Sequence, residues 1–114
     1  MPADGYLDYI EIPAPDIAAT KRFYGAVFGW TFVDYGPDYV EFHSGDRVGG
    51  FNAEMKVAAE GGPLVVLYAG DLEAMEAKVR AAGAEITARH EFPGGRRFHL
   101  RDPNGNEIAV WTKI

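Results

Sequence analysis

The stretch Ile12-Pro13-Ala14-Pro15-Asp16-Ile17 ends an apolar run and begins a helical pattern, and Tyr68-Ala69-Gly70-Asp71-Leu72 does the same later in the chain. Asp16 and Asp71 lie 55 positions apart, and the residues behind them keep that spacing. Both sets follow the i, i+3, i+7, i+10 spacing of a helix with one buried side. They are Ile17, Thr20, Tyr24 and Val27 in the first half, and Leu72, Met75, Val79 and Ala82 in the second. The chain is therefore predicted to contain an internal repeat.

The ends of both helices carry recognisable capping residues. Asp16 and Asp71 are predicted N-caps, because a short carboxylate accepts hydrogen bonds from the free N–H groups of a first turn. Gly29 and Gly83 are predicted to end the helices, since glycine tolerates the positive φ of a C-terminal cap.

Runs typical of β-strands, separated by turn residues, surround each helix. The predicted strands of the first half are Tyr6–Ile12, Trp30–Tyr35, Tyr39–His43 and Val48–Asn52. Those of the second half are Leu64–Ala69, Glu85–Glu91, Arg96–Arg101 and Glu107–Thr112. This βαβββ order, present twice, predicts an α+β fold of two tandem modules, about residues 5–55 and 63–114, within one domain over residues 1–114. Halves of about 50 residues bury little on their own, so we expect them to share one sheet.

Composition excludes several classes of function. The 114 residues carry 17 acidic and 11 basic side chains, and a net charge of −6 disfavours nucleic acid as a partner. The chain has no cysteine, so thiolate metal sites and cysteine nucleophiles are excluded. We expect no membrane-spanning segment, because the longest apolar run, Leu64 to Ala69, is far too short. The start Met1-Pro2-Ala3-Asp4 does not resemble a secretory signal, so a cytoplasmic location is expected.

Two motifs in their order resemble the vicinal oxygen chelate superfamily, which includes glyoxalases, bleomycin resistance proteins and dioxygenases. The motifs are Arg22-Phe23-Tyr24-Gly25-Ala26-Val27-Phe28-Gly29-Trp30, after Ile10-Glu11-Ile12-Pro13, and Asp102-Pro103-Asn104-Gly105-Asn106-Glu107-Ile108. The resemblance covers nearly the whole chain and is strongest to small, single-domain bacterial members. It implies one curved eight-stranded mixed sheet around a cavity, helices on the outside, and a homodimer. Whether modules pair within one chain or are exchanged in the dimer stays open.

The resemblance also implies where a divalent metal would be bound. The ligand positions fall on Tyr9, Val65, Ala109 and a residue within Gly49-Gly50-Phe51. Metal sites need three or four His, Asp, Glu or Cys donors, and these positions do not supply them. We therefore expect no metal and no other cofactor.

Strand alternation predicts the side chains that face the cavity. If apolar residues such as Ile12, Val40 and Phe98 face the helices, the alternate positions line the cavity with aromatic and charged groups. The candidate ligand-binding residues are Tyr9, Glu11, Glu41, His43, Phe51, Arg97, His99 and Trp111. Glu11 and His43 are the candidate catalytic residues, because a carboxylate or an imidazole can act as general acid or base.

The sequence favours a protein that binds a small organic molecule, cationic or zwitterionic and aromatic, without a metal. One alternative is an enzyme of the family, either a lyase or isomerase similar to lactoylglutathione lyase or a dioxygenase. The other is a regulatory or interaction module whose cavity is filled by its own side chains. Whether the chain is an enzyme is left undecided.

Overall fold

The helices of the computed structural model, which describes residues 3–58 and 60–114, begin where the sequence predicts. Helix α1 spans Ile17–Phe28 and helix α2 spans Leu72–Ala81. The Asp16 carboxylate accepts a hydrogen bond from the Ala19 N–H at 3.0 Å, and Asp71 accepts one from Ala74 at the same distance. Met1 and Pro2, part of the expected N-terminal pattern, and Ala59 between the modules lie outside the described residues.

The C-terminal caps differ in one detail. Helix α1 ends at Gly29, whose φ of 72° is the left-handed conformation that glycine adopts at low cost. The cap of α2 is Ala82, one residue before the predicted Gly83. Both chain reversals therefore occur within one residue of the predicted positions.

Eight strands follow the predicted order. The first module contains β1 Ile10–Pro13, β2 Thr31–Asp34, β3 Tyr39–Ser44 and β4 Arg47–Asn52. The second contains β5 Val65–Tyr68, β6 Ile86–Phe92, β7 Gly95–Arg101 and β8 Glu107–Lys113. The largest difference in bounds is at β1, which was predicted to begin at Tyr6. Its ladder with β4 starts only at Ile10, opposite Gly49, and Tyr6 is 79% exposed.

Hydrogen bonding divides the strands into two four-stranded mixed sheets. Their orders are β1-β4-β3-β2 and β5-β8-β7-β6. In each sheet the first strand runs parallel to its neighbour and the other pairs are antiparallel. The α+β fold of two βαβββ modules is thus confirmed, while the eight strands form two open sheets instead of one continuous sheet. Each module completes its own ladder, which leaves β1 and β5 as edge strands.

The helices cover one face of each sheet and share one apolar core. Tyr24 of α1 stacks on Trp30 and packs against Phe51 of β4, with ring centroids 4.8 and 4.9 Å apart. Val79 of α2 is fully buried, and Val40, Leu100, Ile108 and Val110 of the strands are buried in the same core. The other face of each sheet is left without a covering helix.

A tight turn in the second module is hydrogen-bonded to the first module. The Asp102 carboxylate accepts a hydrogen bond from the Tyr24 hydroxyl of α1 at 2.8 Å, and both residues are buried. Asn104 donates to the Thr20 hydroxyl at 2.7 Å, and Asn106 donates to the Pro13 carbonyl at 2.6 Å. Burial, reinforced by Asp102, raises the pKa of Tyr24, so this phenol stays protonated and donates.

Neither helix in the described part of the chain is long enough to cross a membrane, since α1 has 12 residues and α2 has 10.

The Tyr24–Asp102 contact can be tested by removing one oxygen. Tyr24→Phe leaves a buried carboxylate without one of its donors, so we expect the free energy of unfolding to fall by about 1–3 kcal/mol. Urea denaturation followed by circular dichroism measures this. Tyr35→Phe, at a side chain that is 61% exposed, is the matched control and should change stability very little. Equal effects of the two changes would contradict a special role for the buried hydroxyl.

Candidate functional site

The uncovered face of the first sheet carries a hydrogen-bonded group of phenols and a carboxylate. The hydroxyls of Tyr9 and Tyr39 lie 2.8 Å apart, and Tyr39 donates to Glu11 Oε2 at 2.9 Å. Asn52 donates to the other carboxylate oxygen of Glu11 at 3.4 Å. We call these four residues the phenol–carboxylate array. Because Tyr39 donates its proton to Glu11, Tyr9 must be the donor to Tyr39, and the Tyr9 oxygen can still accept a hydrogen bond.

Gly50 of β4 is the position over which the array lies. A Cβ atom at Gly50 would meet the Tyr39 phenol and would lie 2.7 Å from the Tyr9 hydroxyl oxygen. The absence of a side chain is therefore required for the two phenols to cross the strand. Desolvation, followed by the hydrogen bonds to Tyr9 and Glu11, raises the pKa of Tyr39, which keeps this phenol in its donating form.

A second polar pair lies on the same face of β3. His43 Nε2 is 2.9 Å from Glu41 Oε2, and both side chains are partly exposed. Glu41 is the cross-strand partner of Gly50, so the pair adjoins the array. The two candidate catalytic residues, Glu11 and His43, therefore face the same side of one sheet, each with a hydrogen-bond partner of its own.

Phe51 is the candidate that the structure places elsewhere. Its side chain is fully buried, in ring contact with Tyr24 and with Phe42 at 4.9 Å from each. The prediction that Phe51 lines the uncovered face is wrong, because β4 alternates and turns Gly50, not Phe51, to that side. The sequence of β4 gives little indication of this alternation, since Gly49 and Gly50 carry no side chain.

The uncovered face of the second sheet is basic and aromatic. It contains Arg97, His99 and Trp111, with Arg97 directly opposite Trp111. His99 is only 6% exposed, and its Nδ1 lies 2.6 Å from Glu107 Oε2. This hydrogen bond lowers the pKa of the Glu107 carboxyl. Trp111 packs edge to face against Tyr68, with ring centroids 5.1 Å apart.

The two faces meet at a cavity of about 250 Å³ between the modules. Glu11 of the first sheet and Arg101 and Glu107 of the second contribute to its walls. A larger cavity of about 680 Å³ lies beside the helices and is lined mainly by apolar residues, including Phe28, Trp30 and Met75. Of the two polar groups, only Glu11 and Glu107 line the smaller cavity.

The positions implied for a metal do not fit one. Tyr9 and Gly50 share a face, but the space above Gly50 is taken by the two phenols. Val65 packs against the apolar core, and Ala109 is fully buried between its neighbours. Across residues 3–58 and 60–114, no three His, Cys, Asp or Glu side chains converge in a way that could hold a metal ion.

Three members of these polar groups were missed as site residues. Tyr39, Asn52 and Glu107 belong to the uncovered faces but were not among the candidates. The signal for Tyr39 was present in the sequence, because a glycine on a neighbouring strand leaves room for a large ring. The pairing of Glu107 with His99 depends on the register of β7 and β8, which composition does not fix.

Solved structures with closely similar folds include three bacterial proteins. A lactoylglutathione lyase from Agrobacterium tumefaciens has a TM-score of 0.76 at 23% identity, over 96% of this chain and 95% of that one. A glyoxalase/bleomycin resistance protein/dioxygenase family enzyme from Burkholderia phytofirmans PsJN has a TM-score of 0.79 at 22% identity, over 94% and 98%. A fosfomycin resistance protein from Mesorhizobium loti has a TM-score of 0.77 at 17% identity, over 98% and 94%. At these identities the likeness shows the fold alone.

No curated protein matches the sequence. The profile of the Glyoxalase/Bleomycin resistance protein/Dioxygenase superfamily does match, over residues 6–110, which is nearly the full length of both modules. With the same βαβββ repeat in the fold, the chain belongs to this superfamily.

Proposed function

We propose that this protein binds a small organic molecule on its uncovered sheet faces and does so without a resident divalent metal. The observation that carries the proposal is the phenol–carboxylate array, which lies over Gly50, within the segment Gly49-Gly50-Phe51 where the family resemblance implies a metal ligand. Two solved structures with this fold, a lactoylglutathione lyase and a fosfomycin resistance protein, are named for small molecules. A cytoplasmic location stays a prediction from the sequence.

The chemistry of the array favours a ligand with a cationic group. Glu11 carries a negative charge and the Tyr9 oxygen can accept a hydrogen bond, so both groups suit an ammonium group. The net charge of −6 attracts cations over a longer range. Aromatic side chains around the site suit a ligand with a flat ring.

The same array supports enzymatic catalysis as a second candidate function. A proton taken from a bound substrate by the Tyr9 oxygen is balanced by transfer of the Tyr9 proton to Tyr39 and of the Tyr39 proton to Glu11. Glu11 is then the general base, acting through two phenols at 2.8 and 2.9 Å. The third alternative, a regulatory module with a filled cavity, gains no support from a cavity of about 250 Å³.

Ligand binding can be tested with 2-phenylethylamine, which combines a ring with an ammonium group. We expect measurable binding by isothermal titration calorimetry that weakens as salt is added. Glu11→Gln should lower the affinity by about fivefold, the effect of a partly screened charge of about 1 kcal/mol. Asp46→Asn makes the same charge change on an exposed turn and serves as the control. If both variants weaken binding equally, only net charge matters and the site is wrong.

The metal-free part of the proposal has its own measurement. The untagged protein is incubated with zinc, nickel, manganese or ferrous iron, desalted and analysed by elemental mass spectrometry. We expect far less than one ion per chain, because the donor positions are occupied by phenols and apolar groups. A value near one ion per chain would refute this part and direct attention to the lyase and dioxygenase reactions.

The homodimer implied by the family is also part of the proposal. The edge strands β1 and β5 do not pair with each other, so each leaves one side without a neighbouring strand. Leu7, before β1, and Tyr68, in β5, are 82% and 49% exposed and offer apolar surface to a second copy. We expect sedimentation velocity to give twice the mass of the 12.5 kDa chain. A 12.5 kDa species at every concentration would show that the protein is a monomer.

A further inference from the structure

The cavity of about 250 Å³ between the modules has mainly apolar walls. Ile12 of β1 and Ile108 of β8 are buried at this cavity, and Met55 and Leu64, in the connector between β4 and β5, are half-buried there. The volume equals that of about eight water molecules at about 30 Å³ each. A single ring or a short apolar side chain therefore suits the interior.

Charged side chains of both signs line the same cavity. Among the described residues they are Glu11, Lys56, Glu60, Arg101 and Glu107. Two of them already have partners within the protein, since Glu107 Oε2 lies 2.6 Å from His99 Nδ1 and Arg101 donates to the Gly105 carbonyl at 2.9 Å. The other three form no ion pair within the part of the chain that the structure describes.

Lys56 is the cation at this cavity that the protein does not neutralise. Its side chain is exposed and makes neither a hydrogen bond nor an ion pair with the described residues. Lys21, by contrast, contacts Asp34 at 3.0 Å. An ammonium group has three donors and no acceptor, so the natural partner of Lys56 is a carboxylate.

Glu11 is the carboxylate that is held in place at the same cavity. Tyr39 donates to one of its oxygens at 2.9 Å and Asn52 to the other at 3.4 Å, and each oxygen keeps a lone pair for a further donor. Glu60 is exposed and has no such donors, so its side chain must lose rotamer freedom before it can bind. Glu11 is therefore the better partner for a ligand's ammonium group.

We propose that this cavity binds an apolar α-amino acid as a zwitterion, with its ammonium group on Glu11, its carboxylate on Lys56 and its side chain against the apolar walls. The inference rests on the proposed ligand-binding function, names the class of ligand and adds Lys56 as a determinant of specificity. No bond is formed or broken in this binding.

The first experiment compares two probes that differ by one carboxylate, the amino acid phenylalanine and 2-phenylethylamine. Each is titrated into the unmodified protein and measured by isothermal titration calorimetry. We expect phenylalanine to bind about fivefold more tightly, because only its carboxylate contacts Lys56. Equal or weaker binding of phenylalanine would overturn the inference without any variant being needed.

Lys56→Gln and Lys78→Gln form a matched pair, since both remove one exposed positive charge. In Lys56→Gln the preference for phenylalanine over 2-phenylethylamine should disappear. In Lys78→Gln, on helix α2 and away from the cavity, it should remain. Loss of the preference in both variants would show that only net charge matters and would overturn the role of Lys56. Thermal denaturation checks that each variant is folded.

Two further probes test the other parts of the ligand. Glycine has both charges but no side chain, so we expect it to bind at least about tenfold more weakly than phenylalanine. The acid 3-phenylpropionate lacks the ammonium group and should also bind more weakly. If 3-phenylpropionate binds as tightly as phenylalanine, or if Glu60→Gln weakens phenylalanine binding as much as Glu11→Gln does, the contact with Glu11 is wrong.

The same titrations separate this inference from the proposed function. If 2-phenylethylamine binds through Glu11 and phenylalanine binds no more tightly, the zwitterion site is refuted while the proposed function is retained. If neither probe binds, both proposals fail. Phenylalanine binding that depends on Glu11 and on Lys56 supports both.

Discussion

The buried hydrogen bond between Tyr24 and Asp102 is the contact on which the arrangement of both modules depends. The Asp102 carboxylate also accepts hydrogen bonds from the backbone N–H groups of Asn104 and Asn106, each at 2.9 Å. One side chain therefore both stabilises the turn and binds the Tyr24 hydroxyl of α1. The amides of the same turn then reach Thr20 and Pro13. Because these bonds help to set where the second sheet lies relative to the first, they also help to shape the cavity between the modules.

The two modules share one backbone topology but differ in the chemistry of their uncovered faces. On the first face, carboxylates and phenol oxygens form a surface that accepts hydrogen bonds. On the second, guanidinium groups, imidazoles and Trp111 form a basic and aromatic surface. On the helix side of the second sheet, ion pairs of Glu73 and Glu76 hold α2 to the strands in addition to apolar contacts. The proposed function therefore rests on the uncovered positions of each strand.

The fold could be predicted from the sequence because its signals are local and occur twice. Asp16 and Asp71 cap helices wherever the sheets lie, and turn residues separate the strands in both halves. The site was less predictable, since it depends on register. The structure has Glu11, His43, Arg97 and His99 on the uncovered faces, as strand alternation predicts, but it buries Phe51, which follows two glycines. Their roles as site residues stay predictions. That Tyr39 reaches Glu11 across Gly50 follows from the β3–β4 pairing, which no local pattern specifies.

Gly50 also limits how this surface could change by mutation. A side chain able to ligate a metal cannot enter position 50 while the Tyr39 ring lies there. Shrinking Tyr39 first would remove the donor that holds Glu11 in place. Either single step disrupts packing or the array, so positions 39 and 50 can change only together. The glycine thus couples the evolution of two strands that are neighbours in the sheet.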